Sequence, residues 1–164
     1  MRDSQLRFIR QQGITTPNPD RNLYEALMLQ PRSIGGVIAI GTLLQSSWLF
    51  LALSAVLWWA TLVPTQNLFD AVYNRLIAAP RSRPRLGIAP APRRFAQGAA
   101  ATLALAIGAA LLGKATVVAW ILEGLFAAGV TTAVFGDFCG PAQLYLTFTQ
   151  RKQRARSATE ACQP

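Results

Sequence analysis

Residues 34–63 read IGGVIAIGTLL-QSS-WLFLALSAVLWWATLV, part of a run from Ser33 to Val63 without one acidic or basic side chain. As a single helix this stretch would be about 45 Å long, well beyond the roughly 30 Å of a bilayer core. Folded back at the polar triplet Gln45-Ser46-Ser47, it makes two short helices of about 12 and 16 residues at ordinary helical rise. The flanking charges choose between these readings. One crossing would put the basic segments before and after the block on opposite faces of a membrane. A hairpin leaves them on the same face, as the excess of Lys and Arg in cytoplasmic loops requires. The hairpin is therefore expected, with a strongly tilted single span as the alternative.

Outward from this block the pattern repeats. Residues 95–136 form a second long apolar stretch, and from Phe95 to Gln150 only Lys114, Glu123 and Asp137 are charged. Gly113-Lys114 divides it into arms of about 19 and about 22 residues, each close to the length a membrane helix needs. The expected fold is all-α and integral to the membrane: two transmembrane hairpins, four helices in all, with short interfacial helices. The chain divides into a cytoplasmic N-terminal segment (1–33), a first hairpin (34–63), a Pro/Arg-rich linker (64–94), a second hairpin (95–150) and a basic tail (151–164). Both termini are placed in the cytoplasm.

The 164 residues carry 16 Lys and Arg against seven Asp and Glu, a net charge of +9. Fifteen of the sixteen cations lie in the three segments outside the apolar blocks. Arg81, Arg83, Arg85, Arg93, Arg94, Arg151 and Lys152 are accordingly expected against anionic lipid headgroups. Nucleic acid is the weaker partner, because the basic arms lack interleaved aromatics on which bases stack. The chain has no His and two cysteines, which leaves no imidazole chemistry and no disulfide framework. The first thirty residues are polar, so no cleavable signal peptide is expected. Trp48, Trp58, Trp59 and Trp120 suit anchoring at headgroup level.

The hexapeptide Asn22-Leu-Tyr-Glu-Ala-Leu27 has an echo in Asn67-Leu-Phe-Asp-Ala-Val72, and Pro-Arg-Ser follows each at 31–33 and 80–82. The repeated unit would be an interfacial helix followed by a membrane hairpin. Between Ala79 and Pro92 the prolines predict a stiff, extended linker.

Small residues recur at Gly98, Thr102, Ala106 and Ala110, a spacing that builds one close-packing helix face. Leu103, Ile107 and Leu111 then face lipid or a partner. Gly35, Gly36 and Gly41 serve the first helix in the same way. Glu123 is an ionisable group deep in a membrane helix: a proton-pathway candidate, or a carboxyl bonded to Thr, Gln or Trp across the bundle. In Val134-Phe-Gly-Asp-Phe-Cys-Gly-Pro-Ala-Gln-Leu-Tyr145, glycines and Pro141 end the last membrane helix, with Asp137 and Cys139 at the break. Cys139-Gly-Pro-Ala142 looks like a thiol–disulfide site with Ala in place of the resolving cysteine, so it cannot close a local disulfide.

This segment, with Pro92-Arg-Arg-Phe-Ala-Gln97 before the third apolar helix, resembles a family of small bacterial membrane proteins known only as a domain of unknown function. Its members resemble four-helix proteins ending in Phe-Gly-Phe-Cys-x-x-Cys. Here Asp137 is inserted in the motif and Ala142 replaces its second cysteine. The resemblance implies the bacterial cytoplasmic membrane and the four-helix architecture. The expected function is non-catalytic: an accessory or structural subunit packed against a larger integral membrane protein, with lipids around it and no cofactor. A thiol or sulfur-handling protein using Cys139 is the alternative, and a small transporter using Glu123 and Asp137 the second.

Overall fold

The computed structural model describes residues 1–161, with side chains described through Arg151. It is all-helical, with no strand among the described residues. The helices are α1 (Asp3–Gln11), α2 (Arg21–Leu44), α3 (Ser47–Leu62), α4 (Leu68–Val72, continuing as a wider π turn over Tyr73–Ala78), α5 (Ala91–Leu112), α6 (Thr116–Phe135) and α7 (Gly140–Ala161). Three of them, α2, α5 and α6, are long and apolar enough to cross a membrane; α3 is apolar but has 16 residues.

The turns form where a helix can end in a left-handed residue. Gln45, Lys114 and Asp137 have φ of 46°, 56° and 52°, and each closes a helix through a backbone N–H that reaches back over the last turn. At the second of these turns the left-handed position belongs to Lys114, while Gly113 keeps φ at −76°.

Helices α2, α3, α5 and α6 pack in a ring, each against the next, with α2 against α6 closing it. Their core is built from Ile34, Ile38, Phe50, Leu53, Leu57, Ala101, Ala104, Ile107 and Phe126. Helix α3 lies antiparallel to α5: Ser54 Oγ donates to the Ala101 carbonyl at 2.8 Å, and the Arg94 guanidinium donates to the Thr61 carbonyl at 3.1 Å. At the far end a Cβ on Gly108 would sit 2.8 Å from Leu51 and 3.3 Å from the Ser47 carbonyl. The α2–α3 turn is therefore level with Gly108. Helix α5 goes on to Leu112, about 6 Å farther, so the two hairpins are unequal in reach.

The other end of the ring is capped. Helix α1 lies on α2 and α7, burying Phe8 and Ile9 against Tyr24, Leu27 and Met28. One expectation changes here. Helix α2 runs unbroken through Pro31, so the first repeated hexapeptide is continuous with the apolar helix it precedes. Pro31 has no N–H to give the Leu27 carbonyl, and packing of Tyr24, Leu27 and Met28 beneath α1 holds the helix together instead. The second hexapeptide behaves differently: Asn67 caps the short α4 by accepting from the Phe69 N–H at 3.1 Å. The Pro/Arg segment forms no helix between Arg83 and Pro90, and it is tied to the bundle. Asn74 clasps Leu86 on both sides, Nδ2 donating to its carbonyl at 3.0 Å and Oδ1 accepting its N–H at 2.8 Å, and Leu86 packs onto the cap.

Candidate functional site

Beneath the cap lies a crevice of about 250 Å³ whose walls come from α2, α5 and α6. Its apolar lining includes Leu27, Ile34, Leu103, Phe126 and Val130. It reaches the bundle surface at Leu125 and Gly129, both exposed. At the capped end polar groups gather: Gln12, Gln30, Arg93, Gln97 and Cys139.

The centre of that polar end is an ion pair. The Arg93 guanidinium donates to Asp70 through two bonds, Nη2 to Oδ1 at 2.6 Å and Nη1 to Oδ2 at 3.2 Å. Nη2 also donates to Gln30 Oε1 at 3.0 Å, which accepts a second bond from Gln97 Nε2 at 3.0 Å. Arg93 is only 4% exposed, which corrects its expected place among headgroup-facing residues. A guanidinium presents a planar fork that matches a carboxylate, so Asp70 draws it inward. The neighbouring cations are nearer to expectation in their exposure: Arg81, Arg85 and Arg151 are exposed, whereas Arg83 is half-buried against Glu25 at 3.4 Å. Arg94 is half-buried with its head on the Thr61 carbonyl. The Lys152 side chain lies outside the described residues.

Cys139 sits at the α6–α7 break, partly buried against the α1–α2 cluster. Its backbone N–H donates to Gln11 Oε1 at 3.0 Å. Burial pushes its thiol pKa up, partly offset by hydrogen bonds from the Ala142 backbone and the Gln12 side chain. An unactivated thiol is a poor nucleophile at neutral pH. Asp137 is engaged too, accepting from Ser4 Oγ at 2.7 Å and from the Tyr24 hydroxyl. It thereby ties the break to α1 and α2.

Glu123 is 3% exposed and lies 14 residues before Asp137, toward the opposite end of α6, about 18 Å away along the helical part of the path. The structure thus separates these two carboxylates. Glu123 accepts from Gln45 Nε2 at 3.1 Å, and Gln45 Oε1 accepts from Trp120 Nε1 at 3.2 Å. This is the carboxyl-to-Gln bond across the bundle that the sequence offered as one reading of Glu123, though the sequence did not say which Gln.

The close-packing line of α5 lies one residue away from the one expected. Gln97, Ala101, Ala104, Ile107 and Gly108 are buried, while Thr102 is exposed and Gly98, Ala106 and Ala110 are half-buried. Ile107, expected outward, is fully buried in the core; Leu103 and Leu111 pack partly on it. In α2, Gly35 faces Val130 at 3.1 Å from its Cβ position and Gly41 faces Phe50 at 3.0 Å, but Gly36 meets open space. Among the described residues no three His, Cys, Asp or Glu side chains gather into a metal site.

Residues 32–150 match the model of the family described as Domain of unknown function (DUF4395), and the chain belongs to that family. No curated protein and no solved structure matches it.

Proposed function

We propose that this family member is a non-catalytic, multi-pass protein of the bacterial cytoplasmic membrane that serves as an accessory subunit of a larger membrane complex. In this reading α2, α3, α5 and α6 all enter the bilayer, α3 as part of a short hairpin. The capped end, with its exposed Arg81, Arg85 and Arg151 among anionic headgroups, faces the cytoplasm together with both termini.

The outer face of α6 carries the functional part of the proposal. Ala119, Glu123, Phe126 and Ala133 mark its inner face. Opposite them run Val117, Ile121, Gly124, Ala128, Thr131 and Phe135, all exposed. Large apolar side chains at the two ends of this line suit lipid. The middle holds Gly, Ala and Thr, and a Cβ at Gly124 would meet nothing. In lipid, helices associate by close approach at small residues and by hydroxyl bonds, since apolar burial gives no preference for protein over acyl chains. A helix of a partner membrane protein fits this line.

Purification of the full chain from membranes in a mild detergent, followed by native mass determination, tests the reading. A stoichiometric larger partner is expected, and Gly124→Leu together with Ala128→Leu should release it. A monomer or homodimer free of any partner would overturn it.

A further inference from the structure

The ion pair of Asp70 and Arg93 stands between two hollows. Arg93 lines the crevice, and Asp70 lines a second cleft of about 550 Å³ between α4 with its π turn and the segment 85–88. This is the size of an ordinary small-molecule site. From Asn67 onward, Ala71, Arg75 and Ala79 follow at four-residue spacing and lay one row of the helix along the cleft. Arg85 and Gly87 line it from the other segment. The clasp of Asn74 on both sides of Leu86 holds the two segments together.

Charge narrows what the cleft can hold. Arg75 and Arg85 are both exposed. Among the described residues neither enters an ion pair; the salt bridges there join Arg21 and Arg83 to Glu25 and Arg93 to Asp70. Asp70 is the one acidic lining residue among those described, and both of its oxygens accept from Arg93. Two guanidiniums with no carboxylate between them suit a phosphate or phosphodiester. A zwitterionic head would bring a cation that finds no free carboxylate. The adjoining row of the helix suits the rest of such a ligand. Leu68, Val72 and Leu76, each next in sequence to a residue of the cleft-lining row, are exposed, as is Ile88 in the lining. Exposed apolar side chains beside a cationic cleft match the acyl chains and the phosphate of one amphiphile. Trp59, exposed near the end of α3, comes shortly before the lining residue Pro64 and suits the headgroup level.

We infer that this cleft binds the phosphodiester of an anionic glycerophospholipid. Arg75 and Arg85 donate to the phosphate oxygens, and the acyl chains run past Leu68, Val72 and Leu76 into the bilayer. The site rests on the membrane placement proposed above but not on the partner subunit. It differs from the general attraction of basic segments for a membrane in requiring Arg75 and Arg85 rather than Arg81 or Arg151.

For the test, the full chain is reconstituted into nanodiscs holding equal amounts of dioleoylphosphatidylglycerol and dioleoylphosphatidylcholine, and native mass spectrometry identifies the lipid that stays on it. Failure of the chain to enter nanodiscs would overturn the membrane placement and this site with it; in chains that do enter, the retained lipid judges the site. One phosphatidylglycerol is expected, favoured over phosphatidylcholine about tenfold, the effect of two cations at an anionic headgroup. Arg75→Gln with Arg85→Gln, both at exposed positions, should bring the ratio to about one. Arg81→Gln with Arg151→Gln removes the same charge from exposed positions outside the cleft and should leave the ratio within about twofold. Equal loss in the two pairs, or no preference in the unaltered chain, would overturn the inference. So would displacement of the lipid by millimolar glycerol phosphate, which would assign the cleft to a soluble phosphate ester.

Discussion

Replacing Asp70 by Asn keeps the shape of the side chain and removes its charge. Arg93, 4% exposed, would then be a cation with no counter-ion in an environment that excludes water. Breaking one side of such a pair costs about 3–5 kcal/mol, since burial gives the abandoned charge no solvent to fall back on. For a chain of this size each kcal/mol corresponds to about 2–4 °C in Tm, so a fall of about 6–20 °C is expected. Far-UV circular dichroism of the purified chain in detergent measures it. Arg81→Met, an exposed cation, should change stability by no more than about 0.5 kcal/mol in the same assay. The double variant Asp70→Leu, Arg93→Met removes both charges and should recover most of the loss, because a buried pair is often replaceable by apolar side chains of similar volume. If Asp70→Asn shifts Tm no more than Arg81→Met does, Arg93 is not buried with Asp70 and the polar end of the crevice is wrongly built.

Three further expectations follow from local geometry. Gly108→Ala would press a Cβ to 2.8 Å from Leu51 and should destabilise by about 1–3 kcal/mol, whereas Gly36→Ala, in open space, should be neutral or stabilising; thermal unfolding of the two variants should rank them so, and the reverse order would reject the α3–α5 packing. Glu123→Leu removes one of the two acceptors of Gln45 Nε2, which keeps the Thr42 carbonyl at 2.8 Å, and should cost about 0.5–1.5 kcal/mol, while Glu123→Gln keeps both acceptors and should cost less. Equal losses in denaturant titration would contradict the Gln45 contact, and loss of proton flux in Glu123→Gln vesicles would favour a transport role. Cys139 should alkylate more slowly than glutathione at pH 7, and its rate should climb as pH rises through the elevated thiol pKa, since the thiolate reacts and burial disfavours it. Peptide mapping of iodoacetamide adducts checks this, and a glutathione-like rate at neutral pH would restore a reactive thiol.

The all-helical character and the helices suited to a membrane were legible because they depend on local composition: uncharged runs of a definite length between basic segments. What was not legible depends on partners distant in sequence. Arg93 looks like any cation of a basic loop until the fold brings Asp70 to it from 23 residues away. Glu123 meets Gln45 across 78 residues, and no periodicity records that. The facing of α5 was misjudged for a different reason. Ala and Gly are so frequent there that several lines of small residues run along it, and only the shape of α3, with Leu51 at Gly108, selects among them. The first hexapeptide was expected to form a separate interfacial helix, whereas it runs on through Pro31 into the apolar helix, held by packing against α1. The crevice was the least legible feature, since its polar end is assembled from α2, α4 and α5 together.

The unequal reach of the two hairpins has a mechanical corollary. A bilayer meeting this bundle would find a tall wall along α5 and α6 and a low one along α2 and α3, whose 16-residue α3 measures about 24 Å. Acyl chains beside the low wall must shorten or splay, and the elastic cost per ångström of mismatch is modest but accumulates along the perimeter. Two proteins with low walls can share one dimple and halve the strained rim between them. In the membrane placement proposed above, the molecule therefore carries an orientation in the membrane plane, a thin side and a thick side, that biases how neighbours arrange around it before any side chain touches.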